Sequence, residues 1–247
     1  MKARLILSAA VLCFSAAVWA DDVSDALTRA ADLYKAKRYV EAKTELEKAL
    51  AALTARAKAQ TPAPEIRDAT YVNYEFNFRV TRPQRDWDIQ MLKSGGGAAG
   101  ATSPMCQITY MKEDAKGDDA VICYVRDLRA FYGARFDTTV RGNEMKFMKL
   151  AGQQMASAVK QFTDVAITGQ TELAVSGTPG VRTDYTAKKG ANLMRCFTVD
   201  VIRGHLMFTA MFIGVQAHDA AVGPAFRQIF DSIDLSPSPP PLPPAGR

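Results

Sequence analysis

Between residues 57 and 72 the spacing of apolar side chains changes period, and that change limits what the chain can fold into. Up to Ala57 the spacing is helical, with Ala42, Leu46, Ala49, Leu50, Leu53 and Ala57 recurring every three or four positions. From Val72 it is two: Val72, Tyr74, Phe76, Phe78 and Val80 alternate with Asn73, Glu75, Asn77 and Arg79. A stretch with period 3.6 and a stretch with period 2 cannot belong to one element. "AKAQTPAPE", Ala57 to Glu65, lies between them, and its prolines cannot continue a helix. The sequence therefore predicts a helical segment over 21–60, a linker over 61–67 and a separate β-rich domain over 68–236.

Ahead of the break, Leu27, Ala30, Ala31 and Tyr34 mark a first helix that Ser24 is placed to cap. A turn at Lys37–Arg38 leads into the second. Beyond the break, "YVNYEFNFRV" predicts one half-buried strand, and Trp87, Ile89 and Met91 the next. "SGGGAAGATSP" reads as a loop, and "MCQITYMK" and "AVICYV" as strands joined by "EDAKGDD". Met148, Ala151, Met155, Ala158, Val159 and Phe162 carry helical spacing. Strands at "VAITGQTELAV", "GVRTDYTAKK", "LMRCFTVDVI" and "LMFTAMFIG" follow, with turns at Lys188–Gly190 and Arg203–Gly204. A last helix carries Val222, Phe226, Ile229, Phe230 and Ile233. The expected class is α+β: a helical hairpin, then one antiparallel sheet sandwiched by helices in an α/β/α arrangement.

The two ends have other signatures. Lys2 and Arg4 precede the apolar run Leu5–Trp19, and Val18 and Ala20 are small residues ahead of Asp21. That is the pattern of a secretory signal peptide over 1–20, and the run is shorter than the roughly 20 residues a membrane span needs. The expected location is therefore exported, periplasmic or secreted. Without Lys2 and Arg4 the 31 basic residues fall to 29 against 26 acidic ones. A net +3, dispersed along the chain, argues against a nucleic-acid partner. The end, 237–247, is proline-rich and has nothing to pack, which predicts an extended, disordered tail.

Three cysteines follow the leader: Cys106, Cys123 and Cys196. In an oxidising compartment an odd count allows one bridge. Cys106 and Cys123 flank an expected hairpin and are the candidate pair for a disulfide, the alternative being three buried, inert thiols. No metal site is expected, because His205 and His218 are the only histidines and fit no zinc spacing. Gly95–Gly97 follow Lys93–Ser94, the reverse of a phosphate loop, and no nucleophile motif is present. Catalytic and cofactor-binding residues are accordingly expected to be none, and the chain not an enzyme.

The stretch "YKAKRYVEAKTELEKALAAL" resembles a single tetratricopeptide repeat. Tyr34, Tyr39, Glu41, Ala42, Ala49 and Leu50 fit its pattern, while Lys37 stands at the turn glycine and Thr54 at the closing proline. One copy cannot form a peptide groove. It leaves an expected interaction face of Tyr34, Tyr39, Leu46, Leu50 and Leu53. From 68 to 236, "YVNYEFNFRVTRPQRDW" and "FRQIFDSIDL" are similar to the opening and closing segments of PsbP-like domains. That resemblance implies an antiparallel sheet between helices and a tendency to bind proteins, with no chemistry. The expected function is a non-catalytic exported interaction or assembly factor of the cell envelope with an unknown protein partner. The alternative is a carrier holding a small hydrophobic ligand or lipid between sheet and helix, with Met194, Met207 and Met211 as lining.

Overall fold

The computed structural model describes residues 21–83, 86–92, 103–111, 118–132, 142–158 and 161–236. The expected leader (1–20), the tail (237–247), most of the glycine loop and the centre of the "EDAKGDD" turn lie outside the described residues. The chain divides into two compact units, Met1–Pro62 and Ala63–Arg247.

In the first unit α1 (Asp21–Lys35) and α2 (Tyr39–Gln60) form an antiparallel hairpin. Val23, Ala26 and Ala49 are its core, with Ala52 and Leu53 packed against them. Small residues at the crossing let the two backbones approach. α1 begins at Asp21, so Ser24 lies inside the helix and its carbonyl accepts the Thr28 hydroxyl at 2.9 Å; it is not the cap. Lys37 adopts a left-handed φ of 62°, the conformation for which glycine is favoured at a helix end. The Arg38 amide closes the turn on the Leu33 carbonyl at 2.9 Å.

The second unit begins inside the expected linker: β1 (Glu65–Arg67) pairs with β2 (Thr70–Asn73), and β2 with β3 (Phe78–Thr81). The single strand expected over 72–80 is thus two strands and a turn. Asn73 Oδ1 accepts the Phe76 amide at 2.9 Å, a side-chain turn that interrupts the alternation. The expected single sheet is likewise two sheets. The larger consists of β4 (Trp87–Met91), β5 (Ser103–Tyr110), β6 (Ala120–Asp127), β7 (Thr163–Val175), β8 (Thr178–Lys189), β9 (Asn192–Arg203) and β10 (Leu206–Val215). Its spatial order is β4-β5-β6-β10-β9-β8-β7, antiparallel throughout. Helices α3 (Leu128–Tyr132), α4 (Asn143–Ala158) and α5 (Asp219–Asp231) complete the unit.

Both faces of the large sheet are covered. On one, Val199, Val201, Phe208, Ala210 and Phe212 pack against Val222, Phe226 and Ile229 of α5 and against Tyr71, Phe78 and Val80 of the small sheet. On the other, Met194, Cys196, Ile202, Met207 and Met211 form two clusters with Met148, Ala151 and Met155 of α4. Met194, Met207 and Met211 are fully buried in this packing and are core, not the lining of an open cavity.

Gly152 sets how closely α4 approaches the sheet. A Cβ added there overlaps Thr183 Oγ1 and lies 2.8 Å from Thr183 Cβ and 3.2 Å from Thr198 Oγ1. Helix propensity alone predicts that Gly152→Ala stabilises by about 0.5–1 kcal/mol. Overlap with a sheet hydroxyl predicts a loss of about 1–3 kcal/mol, as for other overpacked sites. We expect the loss in urea denaturation, partly restored when Thr183→Ala removes the nearest atom; a gain for Gly152→Ala alone contradicts the packing.

Candidate functional site

Four of the five residues of the expected interaction face lie on the surface. Tyr34 is 50% exposed, Tyr39 56% and Leu50 64%, with Leu46 also exposed. Leu53 is the exception: it is half-buried against the hairpin's own core and does not belong to the face. Tyr34 and Tyr39 meet edge to face at 5.3 Å, joining the flanks of α1 and α2 at the turn. Leu46 and Leu50 follow Tyr39 by seven and eleven residues, two and three turns along the same flank. Leu27, two turns before Tyr34 and 41% exposed, extends the stripe on α1. Around it run surface ion pairs, Arg29–Glu45, Lys48–Glu45 and Lys43–Glu47. The helix spacing makes this face legible in sequence, apart from Leu53.

The sheet unit holds polar groups of another kind. Asp200 stands in β9 among Met194, Cys196 and Ile202, on the face that meets α4, and is fully buried. Its register partner in β10, Thr209, donates its hydroxyl to Oδ1 at 2.5 Å, and Thr198 donates to Oδ2 at 3.1 Å. Burial pushes the carboxyl up to about 7, against the pull of the two hydroxyls and the positive Arg126 on β6. Arg126 donates to Met155 Sδ of α4 at 3.3 Å. It has no solvent exposure, and its protonation bears on stability.

Asp119, also fully buried, accepts the Val215 amide at 2.7 Å and contacts His218 Nδ1 at 2.6 Å. It ties the start of β6 to the end of β10 and to the 3₁₀ turn Gln216–His218 before α5. His205, at the β9–β10 turn, lies 3.9 Å from Asp127. No group of three or more His, Cys, Asp or Glu side chains suited to a metal ion occurs among the described residues. Cys106 and Cys123 are register partners across β5 and β6, both fully buried free thiols. Their mutual contact and burial hold the Cys106 thiol well above its ordinary range. Cys196 faces α4 on the opposite side of the sheet, and burial pushes its thiol up to about 11.

A groove of about 800 Å³ runs between α5 and the strands β8 and β9. Its apolar surface is Phe197, Phe226 and Phe230, and its charged rim includes Arg182, Arg195 and Arg227. The Arg182 guanidinium lies 3.9 Å over the Phe197 ring and pairs with Asp184 at 2.6 Å. Arg195 reaches across to Asp219 of α5 at 2.9 Å. Sequence reading missed this groove, because its residues come from three elements and none breaks its local pattern. Asp200 had a signal: a carboxylate at a core position of an otherwise apolar alternation.

No family model matches this chain, and no curated protein matches it. Among solved structures it is similar to the cyanobacterial PsbP (CyanoP) of Synechocystis sp. PCC 6803, at 10% identity and a TM-score of 0.48. That match covers 72% of this chain and 99% of the other. LpqN of Mycobacterium tuberculosis, described as involved in cell envelope biogenesis, is 12% identical with a TM-score of 0.46, covering 65% and 83%. The immunity protein TplEi of Pseudomonas aeruginosa, solved with a peptide, is 11% identical with a TM-score of 0.34, covering 79% and 85%. The α+β architecture itself rests on the strand order and layers described above. No described helix is long and apolar enough to cross a membrane.

The raised Asp200 carboxyl has a definite sign. Between the unfolded value near 3.9 and about 7 the native state holds the proton more tightly than the unfolded chain. Its contribution is complete below about pH 4 and is lost as pH rises towards 7. Asp200→Asn removes this titration. We expect the wild type to lose stability relative to Asp200→Asn by a few kcal/mol between pH 4 and pH 8 in denaturant titrations, following the shift. A difference that does not change with pH contradicts the account.

Proposed function

We propose that this chain is an exported, non-catalytic interaction protein whose contact surface is the hairpin face of Leu27, Tyr34, Tyr39, Leu46 and Leu50. The observation that carries the reading is the exposure of those five large apolar side chains on one side of a two-helix unit. Tyrosines and leucines left in water at this density mark a contact surface, since each gains about 1.5–3 kcal/mol when fully covered. The sheet unit serves as the scaffold. Its buried carboxylates are held by hydroxyls, an amide and His218, and Cys106, Cys123 and Cys196 are buried. A photo-crosslinking residue at position 50, in cells, is expected to give an adduct of discrete mass. The same residue at Leu193, equally apolar but in the sheet unit, is expected to give none. Failure of position 50 to yield any adduct sinks the reading.

The groove along α5 favours a second reading, a carrier of a small amphipathic molecule. Its phenylalanines supply apolar contact, but Arg195 already holds Asp219 across it and Arg182 is paired with Asp184 along β8. Native mass spectrometry of the chain purified from its own host tests this reading. A bound small molecule lost on Phe197→Asp supports it, and a bare chain mass removes it.

A further inference from the structure

The hairpin face is built to meet a copy of itself. Two helices bury only the flank they share, so the second flank needs cover from elsewhere. At exposures between 37% and 64%, its five large side chains present about 500 Å² per hairpin, given the 150–250 Å² that an aromatic side chain buries. Two such faces together remove about 1,000 Å² from water, the lower bound for a specific interface.

The face is also graded along its length. The two tyrosines stand at the turn end. Leu27 and Leu46 lie about 10 Å further along, and Leu50 about 16 Å, from the 1.5 Å rise per residue. A two-fold axis lying in the plane of contact and perpendicular to the helix axes places the aromatic end of one hairpin over the leucine end of the other, so bulk meets gap at both ends. A parallel stack sets the four tyrosines against each other. Charge offers no obstacle: residues 21–60 carry eight basic and seven acidic side chains. Several of these are already paired within the hairpin, as in Arg29–Glu45, Lys48–Glu45 and Arg38–Glu41.

We infer that a second copy of this chain covers the face, two hairpins closing an antiparallel four-helix bundle about a two-fold axis. This rests on the contact surface proposed above and names its occupant. Sedimentation velocity of the exported chain between about 1 and 100 µM is expected to show a dimer, as in other interfaces of this size. Leu50→Glu and Tyr39→Glu, at exposed positions that leave the hairpin core intact, weaken it at least tenfold, while Leu193→Glu leaves it unchanged. A chain that stays monomeric across that range overturns the inference, as does a dimer indifferent to Leu50→Glu. The mass of the adduct formed from position 50 separates the two levels of the proposal. Twice the chain mass supports self-association; a different added mass overturns it and leaves the contact surface standing; no adduct removes both.

Discussion

Everything in the larger unit depends on the pairing of β9 with β10, ten consecutive register partners from Leu206–Arg203 to Val215–Met194. These strands run through the interior of the sheet and are buried on both faces over most of their length. A strand in that position sends alternate side chains into two separate cores, so each face must have its own cover. One receives α5 and the three-stranded sheet. The other receives α4, which can come close because Gly152 offers no side chain to Thr183. A polar residue in such a strand needs partners at once, and Asp200 finds them in Thr209 opposite and Thr198 two residues away. The same logic places Asp119 at the sheet's end, where it satisfies the Val215 amide and holds His218.

The hairpin is in the reverse situation. Its helices cover one flank each with small residues, Val23, Ala26 and Ala49, and leave the adjoining flank in water. The groove beside α5 does not compete on equal terms, because Arg182 lies on Phe197 and pairs with Asp184, and Arg195 bridges the opening to Asp219. Six of the eleven large apolar side chains exposed among the described residues belong to the hairpin, and five of them make up the proposed contact face. Self-association is the form of contact that the area, the gradation of side-chain size and the near-neutral charge jointly favour.

Much of this was legible in the residues. The four long strands from Thr163 to Val215 and the helices α4 and α5 follow from period alone, and Cys106 falls opposite Cys123 as the hairpin between them requires. The failures have local causes. The run from Tyr71 to Val80 alternates perfectly, yet Asn73 folds back on the Phe76 amide and makes a turn of it. Glu65–Arg67 looked like linker because three residues after prolines carry no periodic signal, and only the pairing with β2 makes them a strand. Leu53 shares the spacing of the exposed stripe and also that of the buried one; contact with the α1 core decides between them. Asp119 and His218 lie 99 residues apart, a distance no spacing rule spans.

Hydrogen exchange, read peptide by peptide on the chain above and below the concentration at which it associates, tests the central claim most directly. The account predicts that amides of α1 and α2 between Leu27 and Leu50 slow on association, while those of β7 to β10 and α5 keep their rates. Protection that appears instead along α5 and the Arg195–Phe197 segment of β9 contradicts it and moves the contact surface to the groove.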